Sequence, residues 1–262
     1  MSHLKRLFAL SGNECAEPNC TRTVIGKDGV TVIGKICHIE AASSDGPRWN
    51  SIMSDDERRD FDNLILLCDE DHSIIDNKEN EAKFPVSLLK QWKKDHESRM
   101  LGEKLKNKPS LLKDAINAIS NIGWDDVKEE ESLKAFNLKE KITHNSLKRK
   151  VSLINEYKSY HSKINKLYDE IERQGSFKKE KLLANIRLIY TQVKGTYVLD
   201  SDNPIEEIRK NSDDIIDDVY EAIYAKIDES IFYDEDIVLA INLIIVDAFM
   251  RCKILEEPDN DS

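Results

Sequence analysis

Apolar positions divide the chain into two patterns. Up to about residue 100 the apolar runs are short, β-branched and cut by turn residues. TRTVIGKDGVTVIGKICHIEAA carries two such runs around Lys27-Asp28-Gly29, which predicts a hairpin with a glycine-containing turn. SDGPRWN follows as a loop broken by Gly46 and Pro47. Ser54 with Glu57 three residues later is a capping-box pattern and predicts a helix running into RRDFDN. NLILLCDEDHSIID then passes from an apolar run into a second helix. After Phe84-Pro85, the residues Leu88, Leu89, Trp92 and His96 share helical spacing.

Beyond Pro109 and Gly123 the period changes to that of helices. SLKRKVSLINEYKSYHSKINKLYDEIERQ is amphipathic and ends at Gly175-Ser176. KEKLLANIRLIYTQVKG predicts another helix, with Gly195 as its C-terminal cap. Asn203-Pro204 starts a third over IEEIRKNSDDIIDDVYEAIYAKI. IVLAINLIIVDAFMRCKIL is apolar around most of its circumference, as expected of a helix at the centre of a bundle or an assembly. The organisation expected is therefore α+β: an N-terminal domain over residues 1–100, a linker over 101–131 holding a short helix in LLKDAINAIS, and an all-α domain over 132–262.

Composition narrows the class. Of 262 residues, 40% are hydrophobic and 34% charged, the balance of a helix-rich protein with well solvated faces. No apolar run is long enough to predict a membrane span, and MSHLKRLFALSG is too short and interrupted for a secretory signal, so a cytoplasmic protein is expected. A net charge of −11 argues against a nonspecific polyanion binder. The charge is uneven, however. Residues 139–181 hold 12 basic and 6 acidic side chains, whereas residues 200–236 hold 14 acidic and 3 basic. These are either solvated helix faces or opposed docking surfaces, one of them for nucleic acid or a partner.

Four of five cysteines, Cys15, Cys20, Cys37 and Cys68, lie within the first 68 residues, with Cys252 far from them. In a reducing compartment such clustering points to a metal rather than to disulfides. Cys15-x4-Cys20 is a zinc-knuckle spacing, and Cys68 with Asp71 has the spacing of a second knuckle. Structural Zn2+ held by Cys15, Cys20, Cys68 and Asp71 is the preferred reading, with Cys37 as the alternative fourth ligand. A module this small would draw much of its folding free energy from the ion.

His38, Asn63 and His72 interleave with these knuckles. The order, with NECAEPNC, GKICHIEAASSDGPRWN, DERRDFDNLILLC and DHSIID, resembles the HNH (ββα-metal) endonucleases over residues 10–77, and GPRWN with DNLILLC resembles a bacterial restriction and antiphage subgroup. The resemblance implies a small zinc-stabilised ββα-metal domain that hydrolyses DNA phosphodiester bonds. It gives His38 the role of general base, and His72 that of a ligand to catalytic Mg2+ or Mn2+. Asn63 would orient His38 or approach that ion. Many members carry Asp where this chain has Cys37, and subgroup members more often have Cys or His where it has Asp71. Because strand residues alternate faces, Glu40 is expected beside His38 as a carboxylate for the catalytic ion, with Cys37 and Ile39 pointing away. Arg48 and Trp49 are candidates for contacting phosphate and stacking on a base.

After residue 110 no nucleophile, phosphate loop or metal cluster stands out. His144 and His161 read as exposed helix residues, and Cys252 as core. VDAFMRCKILEEP is similar to the C-terminal domains of bacterial three-component defence systems built around SMC/RecN-like ATPases, which implies such an ATPase as a protein partner beside DNA. The competing reading is a noncatalytic zinc-stabilised DNA-binding or adaptor protein. Cys37 in place of Asp supports it, and the joint presence of His38, Asn63 and His72 weighs toward the enzyme.

Overall fold

The computed structural model describes residues 3–108, 110–121, 137–227 and 234–258. The chain divides at 108/109 into two compact units.

The first unit opens with α1 (His3–Ala9), followed by loops joined by the isolated bridges Glu14↔Thr23 and Ile25↔Val32. The predicted hairpin turn is present. Asp28 accepts from the Val30 and Thr31 amides at 3.0 and 2.9 Å, and Gly29 takes φ +73°. Its arms form one bridge rather than full strands. Val30 is 81% exposed, so no second surface rewards longer pairing. Gly34 is required where the hairpin returns, because a Cβ there would lie 2.6 Å from that of Val24.

The sheet is β1 (Lys35–His38) antiparallel to β2 (Leu64–Leu67), with Cys37 opposite Ile65 and His38 opposite Leu64. Between them lie α2 (Asp55–Arg59), which carries the expected Ser54/Glu57 capping box, and a 3-10 turn over Phe61–Asn63. α3 (Asp69–Asp76) follows β2 and packs on β1. Proline 85 then leads into α4 (Val86–Asn107). Cys37, Ile39, Ile65, Leu67, Ile75 and Leu89 are buried together in the core between sheet and helices.

The second unit is all-helical where described. It comprises α5 (Leu111–Ser120), α6 (Leu138–His144), α7 (Val151–Tyr157), α8 (His161–Arg173), α9 (Lys178–Val198), α10 (Pro204–Lys210), α11 (Ser212–Tyr224) and α12 (Asp234–Met250). As its apolar circumference predicts, α12 is central. Residues 237–249 are buried throughout, and the helix packs on α5, α7 and α11.

Four element predictions need correction. Residues 101–107 of the expected linker belong to α4, while α5 packs on α9 and α12; most of the rest lies outside the described residues. The predicted 29-residue amphipathic helix is a turn followed by α7, a 3-10 turn and α8. The reason is tertiary: Asp213 accepts from the Lys148 and Lys150 amides at 3.0 and 2.9 Å, holding that segment as a turn. Gly195 does not end α9, which runs through it to Val198. By contrast, Gly175 at φ +74° does end α8, with the Gly175 and Ser176 amides bonded back to Glu172 and Ile171. The acidic helix from Pro204 breaks at Asn211 into α10 and α11.

Candidate functional site

Cys15, Cys20, Cys68 and Asp71 present their donor atoms within 4.8 Å of one another. The first loop brings Cys15 and Cys20, and Cys68 is the N-cap of α3 with Asp71 in its first turn. The Cys20 and Cys68 sulfurs are 3.8 Å apart, and the Cys15 and Cys68 thiols lie 3.3 and 3.0 Å from Asp71 Oδ2. A tetrahedral ion with bonds of about 2.0 to 2.3 Å holds its donors roughly 3.3 to 3.8 Å apart, so this set fits zinc. The Cys68 amide also donates to Cys15 Sγ at 3.2 Å, which favours a thiolate. Burial pushes the Cys15 thiol up, and raises that of Cys20 to about 11. Burial works against the Asp71 carboxylate too, but the three thiols donating to it hold its carboxyl below the usual range. Cys37 stands elsewhere, and Asp71 is the residue that completes this group of four.

Cys37 instead joins His72 and Asp76, whose donor atoms also lie within 4.8 Å of one another. The Cys37 thiol donates to Asp76 Oδ1 at 3.0 Å, and His72 Nε2 is 3.3 Å from Asp76 Oδ2. One helix thus serves both groups. Adjacent residues on a helix point about 100° apart, so Asp71 faces the first group and His72 the second, while Asp76 returns to His72 one turn later. His38 ends β1 half-buried. Burial lowers its pKa, and the Asp76 charge pulls in the opposite direction. Its imidazole is therefore biased to the neutral form that can accept a proton.

Asp76 is the functional candidate that the sequence reading missed. The signal was the i, i+4 spacing of His72 and Asp76 on a predicted helix. Glu40 is not drawn into this group. The strand ends at His38 and the chain bends, so alternation does not carry to Glu40. Its carboxylate instead takes Lys90 Nζ at 3.2 Å and Asn50 Nδ2 at 2.8 Å.

Asn63 is buried with its amide committed to backbone: it accepts from the Glu40 amide at 2.8 Å and donates to the Glu40 and Arg58 carbonyls at 2.8 and 3.0 Å. It clamps the segment leaving His38. Arg48, considered for phosphate, is turned inward. It donates to the Ile39 and Ile75 carbonyls at 2.7 and 2.9 Å and reaches Asp76 Oδ1 at 3.4 Å. Trp49 remains 38% exposed at the rim of a groove shared with Glu40, Ile52 and Val86, and the Arg58 guanidinium stacks 3.7 Å from its ring.

In the second unit the two charge runs meet each other. Arg149 pairs with Asp214, and Lys150 Nζ lies 2.7 Å from Asp217. His161, expected to be exposed and isolated, is bonded through Nδ1 at 2.8 Å to Asp247, whose carboxylate also accepts from the Tyr168 hydroxyl at 3.1 Å and from Arg251 Nε at 2.9 Å. His144 lies against Arg209 at 3.2 Å. Among the described residues no helix is long and apolar enough to cross a membrane.

Residues 110–256, more than half of the chain, match the family model for C-terminal domain 10 of the ABC-three component (ABC-3C) systems. No curated protein and no solved structure matches the chain. The matched residues coincide with the helical unit, and the similarity noted at VDAFMRCKILEEP falls inside them. The chain belongs to the CTD10 family of the ABC-three component systems, and is a component of such an antiphage defence system.

Proposed function

We propose that this chain is the nuclease component of its ABC-3C system, hydrolysing DNA phosphodiester bonds with an HNH-type head while the helical unit engages the system's ATPase. The observation that supports this most is the placement of His38. A strand end presents a neutral-biased imidazole, electrostatically coupled to Asp76, beside donors carried on the helix that follows the second strand.

In this reading His38 takes the proton of the attacking water as its oxygen bonds to phosphorus and the bond to the leaving oxygen breaks. His72 and Asp76 hold a divalent cation, which supplies charge neutralisation at the phosphate and the leaving oxygen. Asn63 fixes the backbone that carries His38, and Arg48 fixes Asp76. The group of Cys15, Cys20, Cys68 and Asp71 holds structural zinc and sets the relation between the first loop and α3. Trp49 at the groove rim is placed to stack on a base.

The test is plasmid cleavage by the full chain with its ATPase, ATP and Mg2+, Mn2+ or Zn2+, compared with His38→Ala. The variant is expected to retain fold and zinc but lose at least about 100-fold in rate, the low end for a general base. Equal inactivity of both proteins in every metal, with the partner present, overturns the nuclease reading and leaves a zinc-stabilised adaptor.

A further inference from the structure

Ile52 is 92% exposed, the most of any large apolar side chain among the described residues. It stands three residues after Trp49, on the loop that leads from β1 to α2. Leaving such a side chain in water is unfavourable, so the state of the loop beneath it matters. That loop is held from several sides. The buried Arg58 guanidinium donates to the Ala41, Asn50 and Met53 carbonyls at 2.8, 2.6 and 2.9 Å, and stacks on the Trp49 ring. The Asn50 side chain accepts from the Ile52 amide at 3.2 Å and donates to Glu40 at 2.8 Å. At the start of the loop Arg48 takes φ +57°, and its amide donates to Glu81 at 2.9 Å.

We propose that Ile52 is a wedge that enters duplex DNA at one base step while Trp49 stacks on the base it frees, so that the head selects duplex interrupted by a mismatch or a bulge over continuous duplex. The inference rests on the reading of the head as a DNA-acting module and deepens it by naming the form of the substrate.

Size, charge and position favour DNA over a protein as the occupant. A stable protein interface buries about 800 Å2 on each partner, whereas Trp49 and Ile52 stand among Asn50, Ser51, Glu40 and Glu81. DNA wedges are single apolar side chains, isoleucine among them. The net charge of −11, with Glu81 in the same groove, leaves little attraction for phosphate, so contacts with bases have to supply the binding. Glu40 is paired with Lys90 at 3.2 Å, which limits the repulsion a strand meets on that wall. Glu40 also lines the groove two residues beyond His38, so the loop borders the strand end at which hydrolysis is proposed. Unstacking a step costs least where a base is already mismatched or unpaired. A wedge held in advance loses none of its binding to ordering its own loop.

The test uses the full chain with its ATPase and ATP, carrying His38→Ala so that DNA stays intact. It is mixed with short duplexes holding a fluorescent adenine analogue that brightens on unstacking, placed beside a matched, a mismatched or a bulged base. Brightening is expected on binding, with at least about tenfold tighter binding to the mismatched and bulged duplexes. Ile52→Ser should remove both effects and Ile52→Leu should keep them. Because the side chain is exposed, the serine variant should keep its helical signal and zinc content. Equal affinity for all duplexes without brightening, in a chain whose His38 form cleaves plasmid, overturns the wedge and leaves the nuclease. Brightening that Ile52→Ser does not change also overturns it. So does a serine variant that loses the ATPase but keeps the DNA response, which makes the loop a protein contact. Brightening lost in Ile52→Ser, in a chain that cleaves nothing with His38 present, sustains the wedge and defeats the nuclease reading. No DNA binding by any form overturns both.

Discussion

Asp76 in the first unit and Asp247 in the second meet nearly the same partners, a histidine and an arginine, and the outcome differs. Asp247 has a fully buried side chain, and its two oxygens are taken by Arg251, Tyr168 and His161. Every partner donates, the carboxylate is saturated, and the group ties α8 to α12. Asp76 is 37% exposed, and its companions Cys37 and His72 are themselves able to act as ligands. A buried polar network that closes on itself is structural; one whose members converge and stay open on one side is where the proposed function places its cation.

The largest separation between the units should come from chelation. If the first unit depends on Cys15, Cys20, Cys68 and Asp71 for its fold, stripping the metal, or Cys68→Ala, unfolds it and leaves the second unit's helical signal unchanged. Structural zinc contributes on the order of 10 kcal/mol in small modules, which exceeds what a sheet of two four-residue strands supplies. Two calorimetric transitions in the holoprotein, of which only one moves with chelator, are the expected result. A single transition unmoved by chelator breaks the comparison.

Much of this contrast was legible in the sequence and part was not. The cysteine spacing exposed the four-donor group because a knuckle is local, and Ser54/Glu57 exposed a cap for the same reason. The all-round apolar character of α12 was enough to place it at the centre. What failed depended on contacts between distant segments. Asp213 converts a predicted helix into a turn from 63 and 65 residues away. Glu40 was assigned by strand alternation, yet the strand stops two residues earlier, where Asn63 takes over its backbone. His161 looked solvated because nothing near it in sequence announces Asp247, although a lone Asp within IVLAINLIIVDAFM was itself a sign of a buried partner. Asp76 was within reach of a helical reading, and was passed over because alternation had already supplied a carboxylate.

Alanine at the two aspartates gives an intermediate effect. Asp247→Ala leaves Arg251 in the interior without its carboxylate and strips Tyr168 of its acceptor, and should destabilise the second unit by about 3–5 kcal/mol. Asp76→Ala removes a partly solvated carboxylate and leaves the buried Arg48 guanidinium its Ile39 and Ile75 carbonyl acceptors, so it should cost the first unit less, about 1–2 kcal/mol, while abolishing the divalent-cation binding that the proposed function gives to His72 and Asp76. Denaturant melts of each variant in the presence of zinc measure this directly. Equal destabilisation at both positions would mean that Asp76 too is a structural hub.

The smallest effect tests whether the second unit's buried charges are only structural. Lys141 is 1% exposed, donates to the Phe249 carbonyl at 2.6 Å, and lies near Cys252. Burial lowers its pKa from 10.5 to about 8, with Cys252 pulling in the opposite direction. Between pH 8 and 10.5 the unfolded chain therefore holds a proton that the folded chain has released, so the contribution of Lys141 to stability rises with pH across that window. Below pH 8 both states are charged and the whole penalty of about 3 kcal/mol is present. Lys141→Met fills similar volume without the charge, and replacing a buried charge in this way is often neutral or stabilising. The variant is expected to be at least as stable as wild type at pH 7, by up to about 2 kcal/mol once the lost hydrogen bond is counted, with the difference shrinking as pH rises to 10. A variant that is destabilised at pH 7, or a difference that does not change with pH, would show that the ammonium is required at that position, and the second unit would then hold a charge that packing alone does not explain.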